Sequence, residues 1–297
     1  MKIIKNISVN LKMILSNYGL YICMAFTIIL CSGTGIYTDN MTSYEYSIIK
    51  SLIEFNREFM LSSTDFCSIN VALRASNGWL SMFIPIISAF AFIPFVCDEC
   101  ESQAIRNTIF RSSKFSFYTS KFLTTCISGG IAVMLGYIIF TGLVYTLFPN
   151  INEYAIELQN MYKEILSYTY PNVANNGYIG VLLIKYAEMF IYGAMSAVPA
   201  ITLTCITKNK YLVMCIPFFV KYAVTQSCIK LMAQAYSDFE NINEKLGRFT
   251  NIIAPDSILN LFELSDKKLI LIYNGGLIVI AFIFYIIVQK RRLDCGE

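Results

Sequence analysis

Histidine is absent from this 297-residue chain. That excludes His-dependent hydrolysis, His-ligated metal and haem centres, and most general-base chemistry near neutral pH. Charge is scarce. Asp, Glu, Lys and Arg make up 14% of the residues, where an ordinary soluble chain carries about 25%. No G-x-x-x-x-G-K-[ST] occurs, so the chain has no P-loop; if ATP drives it, another polypeptide hydrolyses that ATP. Cysteine is not lacking, but Cys23, Cys31, Cys126, Cys205, Cys215 and Cys228 sit in apolar stretches and read as small apolar residues. Cys97 and Cys100 form a C-x-x-C, yet zinc needs two further ligands, which only distant cysteines or carboxylates could supply. No catalytic residue and no metal site is expected.

What the chain has is apolar length. It is 56% hydrophobic, with a mean hydropathy of +0.56. Six apolar stretches run over about 19–36, 79–97, 122–148, 178–206, 211–235 and 269–289. A helix needs about 20 such residues to cross ~30 Å of hydrocarbon. Positions 79–96, 122–148 and 269–289 carry no charge at all. The expectation is an all-α membrane protein with six transmembrane helices, forming a single domain over 1–297.

Lys and Arg orient the spans. Segments 1–18, 98–121, 207–210 and 290–297 hold 12 of them in 54 residues, whereas 37–78, 149–177 and 236–268 hold 8 in 104. The denser set, with both termini, is expected on the cytoplasmic side of the cell membrane. Lys2, Lys5 and Lys12 ahead of an apolar run also fit a signal peptide, which would leave five spans. The other reading is an amphipathic helix along the inner leaflet, because Ile3, Ile4, Ile7, Leu11, Ile14 and Leu15 recur at helical spacing.

Three external segments read as helical caps. The first interleaves Ile48, Ile49, Leu52, Ile53, Phe55, Phe59 and Met60 with Lys50, Glu54, Arg57 and Glu58. The second repeats Tyr154, Leu158, Met161, Tyr162, Ile165 and Leu166. The third breaks near Ala254-Pro255-Asp256, after which Ile258, Leu259, Leu261 and Phe262 fit a short helix dipping against the bundle. None is long enough for an independent core of ordinary size. Cys67 is the one cysteine well inside them, so no external disulfide framework is expected.

The first cytoplasmic loop, 97–121, carries the most information. Asp98, Glu99 and Glu101 suit a helix N-terminus. Ala104, Ile105, Thr108 and Ile109 make an apolar face beside Arg106 and Arg111, and Ser112-Ser113 interrupts it. The product is a short helix parallel to the membrane that offers cations and apolar side chains to the cytosol; the plain alternative is a solvated basic loop. With Glu99 or Glu101, Arg106-Asn107, Arg111-Ser112-Ser113 and Ser120-Lys121 in that order, the chain resembles a permease subunit of the ABC-2 type exporter family. Gln103 stands where that family often has glycine. The resemblance implies that Glu99, Glu101, Ile105, Arg106, Asn107, Arg111 and Ser112 form a coupling helix that seats in a nucleotide-binding subunit. It also implies a second permease subunit, identical or paralogous, with ATP and Mg held by the partner ATPase and no cofactor on this chain. Export of antimicrobial peptides, antibiotics or other hydrophobic compounds is the activity it implies.

Ionisable residues inside spans are costly and often functional. Counted from the turn at 207–210 at about 1.5 Å per residue, Glu188 and Lys230 lie on the order of 30 Å up. They are expected to be level and to pair near the outer surface, with Lys185 snorkelling one turn higher. Lys221 falls roughly 15 Å from that turn, near mid-membrane. It is expected either to border a translocation path or dimer seam, with Gln226, Tyr222, Thr225, Tyr192 and Ser196 as company, or to cap carbonyls freed by Pro217. The rival to transport is a membrane sensor or immunity protein that binds a peptide externally. Membrane lipid is an expected partner and nucleic acid is not.

Overall fold

Asn17 divides the N-terminal region into two helices. Its side chain accepts a hydrogen bond from the Gly19 amide at 3.2 Å and so caps α2 (Tyr18–Ser32). The preceding helix, α1 (Lys2–Leu15), meets α2 at 64°. Lys5 and Lys12 are exposed on α1, while Asn10 and Ile14 are buried against the bundle. The computed structural model describes residues 2–39, 43–101, 113–169, 177–207, 209–236, 243–262 and 266–294.

After α2 come a two-stranded antiparallel ribbon, β1 (Gly35–Thr38) and β2 (Glu45–Ser47), and the helices α3 (Ile48–Glu54), α4 (Arg57–Ser62) and α5 (Ser68–Asn77). The long apolar stretches follow as α6 (Trp79–Phe90), α7 (Ile93–Glu101) and α8 (Lys114–Leu147). Then come α9 (Ile156–Thr169), α10 (Gly177–Ser196), α11 (Val198–Leu203), α12 (Lys210–Ala235), α13 (Glu244–Ile253), the 3-10 turn Pro255–Asn260 and α14 (Lys267–Asp294). Among the described residues the regular structure is helical except for the ribbon, which the apolar pattern did not predict.

Among the described residues, five helical stretches are long and apolar enough to cross a bilayer, and the bent α1–α2 pair makes up to six. The first expected span, 19–36, is shorter than its apolar run. Helix α2 stops at Ser32 after 15 residues, and Gly35 already begins a strand. Two other spans are broken, and proline accounts for both breaks. Pro94 cannot donate to the Phe90 carbonyl, and the α6–α7 break falls at 91–92; Pro199 opens α11 just after the break at Ala197.

Helix α8 is the axis of the bundle. At 34 residues it is about 51 Å long, well beyond a bilayer core. Its buried face is built from small and hydroxylated residues, among them Ser120, Thr124, Ser128, Gly129, Gly130, Ala132 and Gly136. The Gly129-Gly130 pair permits close packing of α8 on α10, as small residues do between membrane helices. A Cβ added at Gly193 would stand 2.8 Å from the Gly129 carbonyl oxygen and 3.1 Å from the Gly130 Cα. Gly193→Ala is therefore expected to destabilise the bundle by about 1–3 kcal/mol, read as a lower melting temperature of the detergent-purified protein. Gly275 and Gly276 on α14 differ: nothing lies within 4 Å of a Cβ added at either.

Side-chain pairs define two ends. At one, Lys121 meets Asn10 and Glu99, Lys210 meets Asp98, and Gln289 meets Cys205. This is the basic end. The opposite end carries the ribbon and helices α3–α5 and α9. There Tyr37, Tyr46, Phe55, Phe59 and Phe66 form one aromatic cluster, with Phe55 and Phe59 stacked at 4.6 Å. Arg57 binds Glu153 at 2.6 Å and holds its carboxyl below the usual carboxylate range, so the first cap is tied to the second. A small second core of Cys67, Ile69, Ile151, Tyr154, Tyr162, Leu166 and Val181 seats α9 on the bundle.

Candidate functional site

The cluster with the most chemistry lies inside the helical bundle, where α6, α10 and α12 meet the turn Pro255–Asn260. It begins with a proline. Pro85 lies within α6 and has no amide hydrogen for the carbonyl four residues earlier, that of Ser81. Lys221 of α12 supplies the missing donor, its Nζ hydrogen-bonding the Ser81 carbonyl. The same ammonium pairs with Asp256 at 2.9 Å and lies 4.9 Å from the centre of the Tyr192 ring. Tyr192 completes the site by donating its hydroxyl to Asp256 at 2.7 Å. Lys221 is thus satisfied by an orphan carbonyl, a carboxylate and a ring face. The pair is asymmetric in exposure: the Lys221 side chain is 9% exposed and that of Asp256 36%.

One turn higher on α10 a second pair anchors the same segment. Lys185 and Glu188 lie at i, i+3 and approach to 3.3 Å, both completely buried. Lys185 donates to the Leu259 carbonyl at 2.5 Å and to the Asn260 side chain at 3.0 Å. Glu188 accepts from the Phe262 amide at 3.0 Å. Residues 255–262 therefore form a strap fastened at two points: at Asp256 by Lys221 and Tyr192, and at 259–262 by Lys185 and Glu188. Within the strap, Ile258, Leu259 and Leu261 are buried. Arg248 on α13 pairs with Asp266 before α14, and this holds the Asp266 carboxyl below its usual range.

These contacts correct the expected pairing. Glu188 does not reach Lys230, which is exposed on α12; its partner is Lys185 on its own helix. Lys185 does not snorkel, because the strap covers it. Counting residues along two helices does not give their facing, and i, i+3 neighbours on one helix face each other without any further condition. Lys221 does face protein, but with other company than expected. Gln226 and Tyr222 point outward and are exposed. Among the described residues, Thr225 makes no side-chain hydrogen bond. Of the anticipated neighbours, Tyr192 sets its ring against the Lys221 ammonium. The orphan carbonyl comes from Pro85 on α6 and not from Pro217.

At the basic end a smaller assembly frames the first loop. Lys121, at 3% exposure, binds Glu99 at 2.6 Å and Asn10 at 3.4 Å. Its ammonium lies 4.7–5.6 Å from the ring centres of Phe95, Phe92 and Phe117. Asn10 in turn donates to Thr124 at 3.5 Å, and Lys210 pairs with Asp98 at 3.3 Å. So α1, the end of α7, the start of α8 and the start of α12 are joined immediately before and after the loop. Of the expected coupling residues, Glu99 is in this clamp, and the backbone of Glu101 ends α7. Ile105, Arg106, Asn107, Arg111 and Ser112 lie outside the described residues. Among the described residues, no group of Cys, Asp and Glu is placed to hold a metal ion.

Asp256, Asn10 and the Ser81 carbonyl were missed by pattern reading. Each had a signal. Asp256 follows a proline in a segment that is otherwise apolar, Asn10 interrupts the apolar stripe of α1, and a proline inside a span always frees a carbonyl four residues back. Compared with protein-family models, curated proteins and solved structures, the chain matches none.

Proposed function

We propose that the chain is the permease subunit of an ATP-driven exporter of the ABC-2 type. It sits in the cell membrane with both termini in the cytoplasm, pairs with a second permease subunit, and moves a hydrophobic or amphipathic substrate such as an antimicrobial peptide. ATP and Mg belong to a separate ATPase subunit. The observation that carries the reading is the Glu99–Lys121–Asn10 clamp. A loop that receives force from a motor must be tied to the spans it moves. This loop springs from a joint that ties α1, α7 and α8 through one buried ammonium, with Asp98–Lys210 adding α12. Its Arg106 and Arg111 supply the cations for an acidic or carbonyl-lined groove on the motor.

The test is co-expression with an ATPase encoded beside this chain, followed by purification in detergent. The expected result is a stable complex whose ATPase activity is lost on charge reversal at Arg106 or Arg111. Lys121→Glu is expected to leave ATPase binding intact but to cut transport about tenfold or more, since breaking a buried pair costs about 3–5 kcal/mol. The swap Glu99→Lys with Lys121→Glu is expected to recover part of it. A chain that captures no ATPase under these conditions is a sensor or immunity protein instead.

A further inference from the structure

An open pocket of about 330 Å³ lies at the elbow between α1 and α2, within the range of small-molecule sites. Met13, Ile14, Tyr18, Phe92 and Phe95 give it apolar walls, and Ser16 with Asn17 forms a polar edge. Three further observations define its occupant. The elbow joins an amphipathic helix to the first apolar helix, the depth at which headgroups give way to acyl chains. Residues 1–38 carry three lysines and no acid. Lys12 lies one helical turn before Ser16, on the same face, and its carbonyl still accepts from the Ser16 amide at 3.2 Å. The neighbouring acids do not cancel that charge, because Asp98 is engaged by Lys210 and Glu99 by Lys121.

We propose that this pocket is a seat for one anionic glycerophospholipid of the surrounding leaflet, its acyl chain against Phe92 and Phe95 and its phosphate beside Ser16 and Lys12. The inference rests on the membrane reading and on no part of the transport proposal. It has a consequence for the clamp. Phe92 and Phe95 are also the rings that hold the Lys121 ammonium, so an occupied seat braces the joint from behind.

The test is native mass spectrometry of the full chain in detergent, titrated with phosphatidylglycerol or phosphatidylcholine. Phosphatidylglycerol is expected to be retained preferentially. Lys12→Gln is expected to weaken that retention about fivefold, the contribution of one cation near a membrane surface. Ser16→Phe, which fills an exposed edge, is expected to remove one tightly held lipid while helicity by circular dichroism is unchanged. Free sn-glycerol 3-phosphate is expected not to compete. Equal retention of the two lipids, unchanged retention in Lys12→Gln or in folded Ser16→Phe, or displacement by glycerol phosphate each overturns the proposal.

Discussion

Glu188→Leu is expected to lower the stability of the purified protein by about 3–5 kcal/mol, the range for breaking a buried ion pair by removing one partner. The substitution removes a carboxylate 3.3 Å from the Lys185 ammonium, which is 1% exposed, and leaves the Phe262 amide without its acceptor. Lys185 keeps the Leu259 carbonyl and the Asn260 side chain, which hold its protons but do not balance its charge. Lys185→Met is expected to cost a similar amount, because it strands the carboxylate instead. The double variant, Lys185→Met with Glu188→Leu, removes both charges and replaces them with apolar volume. It is expected to recover much of the loss, since a buried pair exchanged for apolar groups is often near neutral. Melting temperatures of all four proteins in one detergent give the coupling energy directly. Additive effects would mean that the two residues do not form a pair.

The same pair shows what was legible in the sequence and what was not. Apolar length gave the long helices, because crossing a bilayer constrains composition over twenty residues at a time. Hydrophobic spacing gave α1 and the dipping segment after Pro255. Partners of buried charges were not legible, because they depend on helix rotation, and 3.6 residues per turn gives every residue a direction but not a neighbour. Thus Glu188 was assigned to Lys230 across a hairpin when a partner stood three residues away. Lys221 faces protein, as its place in an apolar stretch required, yet its counter-ion lies in a separate segment about 35 residues downstream. Glu99 and Lys121 stand at opposite ends of the loop pattern, and that they touch is a property of two helix ends. The ribbon β1–β2 escaped notice because its strands have only four and three residues.

Lys221→Met is expected to leave assembly intact and to reduce ATP-dependent transport about tenfold or more. The strap carries this effect. At 259–262 the strap is held by Lys185 and Glu188, both fully buried, whereas Asp256 at the other fastening is partly exposed, so the Asp256–Lys221 side is the one able to release and re-form. Loss of a buried partner worth several kcal/mol shifts the fastened fraction by at least about tenfold, since ~1.4 kcal/mol already does so. Asp256→Asn is expected to act in the same direction, and Asp256→Glu to retain more activity. A purely architectural role for Lys221, as donor to the Ser81 carbonyl, makes a separate forecast. Pro85→Ala restores the amide hydrogen that Ser81 lacks, so in that background Lys221→Met should cost about 1 kcal/mol less stability. Transport is the readout that divides the two roles. If Pro85→Ala also returns transport to Lys221→Met, or if Lys221→Met assembles and transports as the parent does, the lysine is a helix repair and nothing more. If stability returns while transport does not, the charge itself is required where the strap meets the bundle.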